Sequence, residues 1–458
     1  MIKLYKFLLA LISVVVIAAA WGVSATVSSR LDNDQERLCA DAEEYLKRKI
    51  YDKGTALLQD ALQIKTDRNA DIWRRLADIY RESGDLRGYR ETLQTMIDGK
   101  ITQRGAELAD LYIEAYEYDK ITKYYGADVL ALLREGIGKT GSAELKEIYN
   151  IHRFEVIPGK NIFDEAGIII SGAGLVRKNG LWGYVGGKGA VAVTPTFELA
   201  TNFYNNHAAV QKDGELYIID RSGKRRALAD DFTAEEIARF NGSVFSVMLP
   251  ETDKYIMAVW SNSPDNPVIA KRETGFEYYG ISSDGITAIK NDGKWIQYDS
   301  SNRKEKISTE RDFEDIALDE FGRCAINGAV FVKTSGNYQM IDYAGNNIAG
   351  PFDDAKPFFE KGGWAAVEKD GKWGFINSAG NMVIDYIFED AGSSSSIRSS
   401  VSAEILAPVK KDGFWGYIKT DGEFAIEPKY ECAKQFVNGC APVKEAAGWY
   451  YILLPEYE

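Results

Sequence analysis

Side chains that commonly carry catalysis are sparse in this sequence. Its two histidines, His152 and His207, lie in no metal-ligand or nucleophile motif. The glycines fall in turns and form no phosphate-cradling loop. The four cysteines show no metal-ligand spacing: Cys39, Cys324, Cys432 and Cys440. The last two are close enough in sequence to pair, and two buried free thiols are the alternative. We therefore expect no catalytic residue, no metal and no cofactor.

Paired acidic residues are the remaining candidates for chemistry. Asp230-Asp231 and Asp353-Asp354 could in principle serve a glycosidase. Asp-Gly pairs at 213, 292, 370, 412 and 421 could be calcium loops, but their repeat spacing predicts hairpin turns. We interpret both sets as turns and solvated loop ends, so the protein is predicted not to be an enzyme.

Length and composition favour a multidomain protein rich in β structure. The chain has 458 residues, enough for two or three cores. Its net charge of −13 repels phosphate backbones, so nucleic acid is not an expected partner. An aromatic content of 12%, with 26 tyrosines, favours β structure over disorder.

The N-terminus carries a membrane signal. Lys3 and Lys6 precede an uncharged apolar run, Phe7 to Val27, that is long enough to cross a bilayer. The positive flank predicts the N-terminus inside and the rest of the chain outside. Residues 1–30 are thus predicted to be a signal anchor or, if cleaved near Val23-Ser24-Ala25, a signal peptide that would leave a secreted protein.

Residues 35–148 have apolar residues at helical spacing, separated by turn signals. Two windows match each other and place Tyr45 and Tyr80 equivalently. This segment resembles the tetratricopeptide repeat, which has a period of about 34 residues. Trp73 and Ala77 fit the first-helix pattern of that repeat, whereas Tyr89 stands where the family prefers a small residue. The resemblance implies helical hairpins that act as a spacer or as a peptide-binding groove.

Residues 151–458 contain a recurring pattern, first seen as KNGLWGYVGGKG from 178, KDGKWGFINSAGNMVI from 369 and KDGFWGYIKTDGEFAI from 411. A strand, an Asp-Gly or Asn-Gly hairpin turn and a second strand beginning with Trp-Gly follow one another. The three copies resemble the WG (KWG) repeat family of bacterial proteins. The matching pairs are Trp182-Gly183, Trp373-Gly374 and Trp415-Gly416. The resemblance implies interaction rather than catalysis.

Degenerate copies extend the array. Leu216, Tyr255, Trp295, Tyr338 and Trp449 stand in the tryptophan place, which gives a period of about 40 residues, typical of propeller blades. We interpret these places as structural packing positions, because the same residue type recurs in every strong copy. The polar stretch 392–400 is predicted to be a surface insertion.

The two ends of the array complement each other. The last copy stops after its second strand, while residues 154–166 resemble the missing third strand and its aromatic-acidic tail. The fold class predicted is therefore a transmembrane segment, then helical hairpins, then an all-β array. That array is predicted to be a β-propeller of about eight blades, one of them shared by residues 154–166 and 441–454. An open β solenoid is the alternative.

These features predict a non-catalytic, envelope-associated binding or scaffold protein, anchored in the membrane with its bulk outside the cytoplasm. Its expected partner is a protein or an envelope glycan. A glycan or cell-wall-binding module is the second hypothesis, and a hydrolase with clustered acids on the propeller face is the third.

Overall fold

A computed structural model describes residues 29–454 except 103–106, 123–128, 204–205, 227–231, 235, 237–245, 250–253, 261–268, 275, 280–283, 300–305, 308–312 and 399–402. The chain divides into two compact units, Met1–His152 and Arg153–Glu458. Within the described residues, no helix combines the length and the apolar character needed to span a bilayer. The predicted membrane segment, Phe7 to Val27, lies outside the described residues.

The first unit is helical. Its helices are α1 (29–47), α2 (Tyr51–Gln63), α3 (Asn69–Ser83), α4 (Leu86–Gly99), α5 (Glu107–Thr122), α6 (Val129–Thr140) and α7 (Ala143–His152). Local chemistry sets the α3–α4 boundary. Gly84 ends α3 with a φ of 78°, and the Asp85 side chain accepts a hydrogen bond from the Gly88 backbone N–H that caps α4.

Close helix contacts explain the small residues of this unit. A Cβ on Gly54 would lie 2.5 Å from the Leu46 side chain, so α1 and α2 pack closely at that glycine. The equivalent place in the next hairpin holds Tyr89, which is buried and donates its hydroxyl hydrogen bond to Glu114 of α5. Tyr89 therefore connects α4 to the following helix at a place where a small residue would only allow close approach.

The second unit consists of β strands. Their bounds are β1 Ile157–Pro158, β2 Glu165–Ala166, β3 Gly174–Lys178, β4 Leu181–Val185, β5 Val191–Phe197, β6 Leu199–Ala200, β7 His207–Lys212, β8 Glu215–Asp220, β9 Arg225–Arg226, β10 Ser246–Leu249, β11 Lys254–Trp260, β12 Ile269–Thr274, β13 Tyr278–Tyr279, β14 Ile286–Asn291, β15 Lys294–Asp299, β16 Lys306–Ile307, β17 Asp315–Ile316, β18 Ala325–Ile326, β19 Ala329–Thr334, β20 Asn337–Asp342, β21 Asn347–Phe352, β22 Asp354–Ala355, β23 Ala365–Lys369, β24 Lys372–Ile376, β25 Met382–Phe388, β26 Asp390–Ala391, β27 Ser395–Arg398, β28 Ala403–Lys411, β29 Phe414–Ile418, β30 Phe424–Tyr430, β31 Cys432–Ala433, β32 Cys440–Glu445 and β33 Gly448–Leu453.

In the described residues these strands form eight antiparallel sheets, which we number in chain order. Sheet 1 contains β2–β5, sheet 2 β6–β9, sheet 3 β10–β12, sheet 4 β13–β16, sheet 5 β17–β21, sheet 6 β22–β25 and sheet 7 β26–β30. Sheet 8 contains β31–β33 together with β1 from the other end of the unit. Seven sheets are thus local in sequence, and only sheet 8 is built from both ends.

The pairing in sheet 8 joins the two segments that the sequence predicts to share a blade. Ile157 lies opposite Leu453, Pro158 lies opposite Ile452, and a further bridge connects Phe163 with Trp449. The Gly159 N–H also donates to the Tyr451 carbonyl at 2.6 Å. The strand edge that β33 would otherwise expose is therefore covered by residues 157–163.

Apolar clusters connect consecutive sheets. One cluster joins sheet 7 to sheet 8 and includes Tyr417 and Ile452, and another joins sheet 8 to sheet 1 and includes Tyr451 and Val176. One face of sheet 8 therefore packs on sheet 7, and its other face packs on sheet 1.

The prediction that residues 392–400 form a surface insertion is wrong for the first half of that stretch. Ser393, Ser394 and Ser395 are buried, and β27 pairs with β28. The Trp364 N–H donates to the Ser394 hydroxyl at 2.6 Å, and the Ser394 N–H donates to the Trp364 carbonyl at 3.0 Å. Small hydroxyl side chains satisfy this buried backbone, a role that polar composition alone did not reveal.

Candidate functional site

The Asp-Gly pairs form hairpin turns. Asp370 has a φ of 53° and Gly371 a φ of 73°, and the pairs at 213, 292 and 412 show the same two successive positive values. Two positive φ angles are the signature of a type I′ turn, which matches the twist of the flanking strands. Asp421-Gly422 lies in the next turn of its repeat, where Gly422 alone of the two has a positive φ. The aspartates thus serve backbone geometry.

Within the described residues, a recurring carboxylate binds the hairpin turn that precedes the tryptophan place in six of the sheets. It belongs to the residue that follows the aromatic end of the preceding repeat, and it accepts hydrogen bonds from turn N–H groups. The pairs are Asp164 with Gly180, Glu198 with Asp213 and Gly214, Glu277 with Gly293, Glu314 with Gly336, Asp353 with Asp370 and Glu389 with Gly413. Asp353 at 2.7 Å is therefore a structural clamp between repeats. The other acid pair considered, Asp230-Asp231, lies outside the described residues.

In each sheet, the residue in the tryptophan place belongs to what we call a row. A row consists of one residue from each neighbouring strand, paired side by side across the sheet. In sheet 1 the row is Glu165, Arg177, Trp182 and Phe197. In every sheet the residue in this place belongs to the second pair counted from the hairpin turn. These residues are Trp182, Leu216, Tyr255, Trp295, Tyr338, Trp373, Trp415 and Trp449.

Cations cover most of these rings. Lys356 lies 4.5 Å from the ring centre of Trp373, Arg177 lies 5.4 Å from that of Trp182, and Lys434 lies 5.7 Å from that of Trp449. The same contact is made by Lys290 with Trp295 and by Lys333 with Tyr338. Trp373 and Tyr338 are buried, while Trp182, Trp295, Trp415 and Trp449 are half-buried. Covered ring faces point to packing with cation–π support.

The glycine after tryptophan lies against the backbone of the third strand. A Cβ on Gly183 would lie 2.5 Å from Pro195 N and 2.6 Å from Val193 O. The cause is a bulge, because the residue pairs on either side of Gly183 skip three residues of β5. Gly374 and Gly416 lie in the same bulge, with Cβ distances of 2.7 Å to Ile384 O and 2.5 Å to Ile426 O. Only a residue without a side chain fits there.

Two degenerate copies place the glycine on the opposite strand. Gln339 follows Tyr338, and Gly350 of the third strand approaches it, with a Cβ position 3.0 Å from Tyr338 O. In sheet 8 Tyr450 follows the tryptophan, and a Cβ on Gly159 would lie 2.8 Å from Tyr451 O. Sequence reasoning missed this exchange, although a glycine shortly before the next aromatic-acidic pair was a usable signal.

A tyrosine two residues after the tryptophan connects one sheet to the next. The Tyr184 hydroxyl donates to the Thr201 carbonyl at 2.8 Å, that of Tyr417 to Lys434 at 2.7 Å and that of Tyr451 to Gly167 at 2.6 Å. Burial raises the pKa of Tyr184 and Tyr417 far above the usual value, so both hydroxyls stay protonated and able to donate. Sequence reasoning did not single out these hydroxyls.

The described residues contain no group of three or more side chains suited to a metal ion. His152 ends α7 beside Lys120, whereas His207 begins β7 in the other unit. Cys432 and Cys440 do not form a disulfide. Cys432 lies opposite Lys444, four residues along β32 from Cys440, which corresponds to about 13 Å. A disulfide requires Cα atoms within about 7 Å.

Comparison with known proteins supports the repeat. The family model of the WG containing repeat matches residues 182–215, 340–373, 373–413 and 415–449. The chain carries WG repeats. The sequence has no match among curated proteins. Kluyveromyces lactis Hsv2 is similar in structure at 10% identity, over 56% of this chain and 89% of that one, with a TM-score of 0.31. BBS1N, solved in complex with ARL6DN, is similar at 10% identity, over 65% of this chain and 94% of that one, with a TM-score of 0.29.

Proposed function

We propose that this chain is a non-catalytic binding or scaffold protein whose WG repeat unit presents a broad rigid surface. The observation that supports this proposal is that its recurring acidic, basic and tyrosine side chains make structural contacts. The acids that follow the aromatic residues clamp hairpin turns, the cations cover aromatic rings, and buried tyrosine hydroxyls join sheets. Side chains committed to such repeated contacts are poorly placed for acid–base or nucleophilic chemistry.

We further propose that the eight sheets close into a β-propeller with sheet 8 as the shared blade. Two ion pairs between sheets that are not neighbours support closure. Glu320 of sheet 5 lies 3.0 Å from Lys434 of sheet 8, and Lys361 of sheet 6 lies 3.2 Å from Asp284 of sheet 4. Stacked sheets are about 10 Å apart, so sheets 5 and 8 would be about 30 Å apart in a straight array. The 3.0 Å contact requires the array to curve.

The partner we propose is a protein. Glycan binding usually uses exposed aromatic ring faces, and here Arg177, Lys290, Lys356 and Lys434 cover the faces in the tryptophan places of four sheets. The N-terminal run from Phe7 to Val27 would hold this surface at the membrane, outside the cytoplasm. A reporter active only in the cytoplasm, fused to the C-terminus, tests this topology, and strong reporter activity would contradict it.

Cross-linking in intact cells tests the binding role. The full-length chain, its Gly183→Ala variant and its Gly187→Ala variant would be captured after cross-linking and compared by mass spectrometry. A Cβ on Gly187 meets nothing within 4 Å, so this variant is a matched control that preserves the sheet. We expect a protein enriched with the parent and with the control, and reduced with Gly183→Ala. Equal enrichment of the partner with Gly183→Ala and with the parent, or binding to purified cell-wall polymer alone, would contradict the proposal.

A further inference from the structure

The row of sheet 6 carries an acid where the other rows do not. Its second place, the cross-strand neighbour of the tryptophan, holds Glu368, which pairs with Trp373 on one side and with Asp354 on the other. The other sheets have Arg177, Gln211, Met248, Lys290, Lys333, Lys410 and Lys444 in this place. Glu368 and Asp354 therefore form a like-charge pair directly opposite each other, which destabilises a sheet.

One lysine near these acids is paired with an acid of the neighbouring sheet. The Lys356 Nζ lies 2.8 Å from Asp390 Oδ1 of sheet 7, 2.6 Å from the Ala391 carbonyl and 4.5 Å from the centre of the Trp373 ring. Asp390 has its own in-register cation, Lys410, on β28. Asp353 adds a further negative charge near Glu368. The contact between sheets 6 and 7 thus contains more negative than positive charge around Glu368.

Burial and the neighbouring charges determine how readily Glu368 binds a proton. Burial comes first, followed by the charges of Asp354, Asp353 and Asp390, and together they raise the pKa of Glu368, while Lys356 opposes the rise. A carboxyl with a raised pKa in the folded state binds its proton more tightly folded than unfolded. Folding stability therefore increases as the pH falls through the folded-state pKa, and the gain is complete below the unfolded value of about 4.3.

We propose that the contact between sheets 6 and 7 is a proton-sensitive joint in which Glu368 is the responding group. When Glu368 is neutral, its repulsion with Asp354 disappears, and the pairing of Lys356 with Asp390 remains. The joint is tighter in acid and looser at neutral pH. Among the residues that the structure describes, none of the other rows places two carboxylates opposite each other, so those rows do not have this property.

Thermal unfolding and hydrogen exchange between about pH 4 and 7.5 test the joint in the full chain at low salt. In the parent, we expect protection of β22–β24 and β26–β28, corrected for intrinsic exchange, to rise as the pH falls. Glu368→Gln should show the acid-like protection and a higher Tm already at pH 7.5. The matched control is Glu165→Gln in sheet 1, where the acid pairs with Arg177 at 2.9 Å and its removal should give no gain.

The outcomes separate clearly. Protection that rises with acid in the parent and becomes independent of pH in Glu368→Gln supports the joint. If Glu368→Gln keeps the parent's pH dependence, lowers Tm at pH 7.5 or behaves like Glu165→Gln, the repulsion is not the cause and the proposal is wrong.

Discussion

The glycine after tryptophan offers a sharp test of the repeat's packing. In Gly183→Ala the new Cβ would lie 2.5–2.6 Å from three backbone atoms, Pro195 N, Pro195 Cα and Val193 O. Each distance is about 1 Å shorter than a comfortable carbon contact of about 3.5 Å. Backbone in a bulged strand cannot rotate away as a flexible side chain can. We therefore expect a cost at the upper end of overpacking, about 3 kcal/mol.

The matched control for this substitution is Gly187→Ala, four residues later in the same repeat. A Cβ there meets nothing within 4 Å and the residue has no positive φ, so alanine should cost little. Thermal and urea unfolding of the two variants and the parent would be compared. A cost of about 3 kcal/mol lowers Tm by about 5 °C in a domain of this size. The urea midpoint should fall at an unchanged slope.

Two results would contradict a steric clash at Gly183. One is a Gly183→Ala melt that overlays the parent, which would mean that the bulge yields without cost. The other is an equal loss in Gly187→Ala, which would indicate that alanine disturbs any glycine of the repeat, independent of the contact with the third strand.

Four further substitutions test other contacts by equilibrium unfolding. Trp373→Ala should cost about 3–5 kcal/mol because its ring is buried, and Trp415→Ala should cost less because its ring is half-buried; melts that overlay the parent would contradict a packing role. Arg90→Ala leaves the Asp119 carboxylate, 1% exposed, without its bidentate partner and should cost about 3–5 kcal/mol in the helical unit; a neutral result would show that water replaces the arginine. Tyr417→Phe removes the hydrogen bond to the next sheet and should cost about 1–3 kcal/mol, unless the carbonyl finds another donor.

The repeats could be read from the sequence because turn chemistry and side-chain period are local. Asp-Gly and Asn-Gly fix the hairpin, and the hairpin fixes the register that places Trp182, Trp373 and Trp415 equivalently. Even the weak copy at Tyr255 has the same register, although its turn lies outside the described residues. The complementarity of the two ends was visible for the same reason, since each end lacks strands that the other supplies.

Contacts between strands that lie far apart in the repeat could not be read from the sequence. The acid that clamps a hairpin follows the aromatic end of the preceding repeat, but its backbone pairs with the sheet that contains the hairpin, as when the Glu198 N–H donates to the Gln211 carbonyl. The exchange of glycine between strands depends on the bulge, which the spacing of apolar residues does not show. Burial of Ser393–Ser395 likewise depends on the neighbouring Trp364 backbone. A polar stretch is therefore ambiguous until its backbone partners are known.

The two ends of the β unit meet in sheet 8, and the distance between labels placed at these ends measures that pairing. Spin labels at Lys160→Cys and Ala446→Cys occupy exposed positions on opposite ends of the unit, in a chain with Cys39→Ser and Cys432→Ser and with the buried Cys324 and Cys440 retained. Pairing of β1 with β33 predicts a single short distance of about 15–20 Å by pulsed electron spin resonance. An open array of eight stacked sheets would separate the labels by about 70 Å. A distribution centred there, or one without the short distance, would contradict closure.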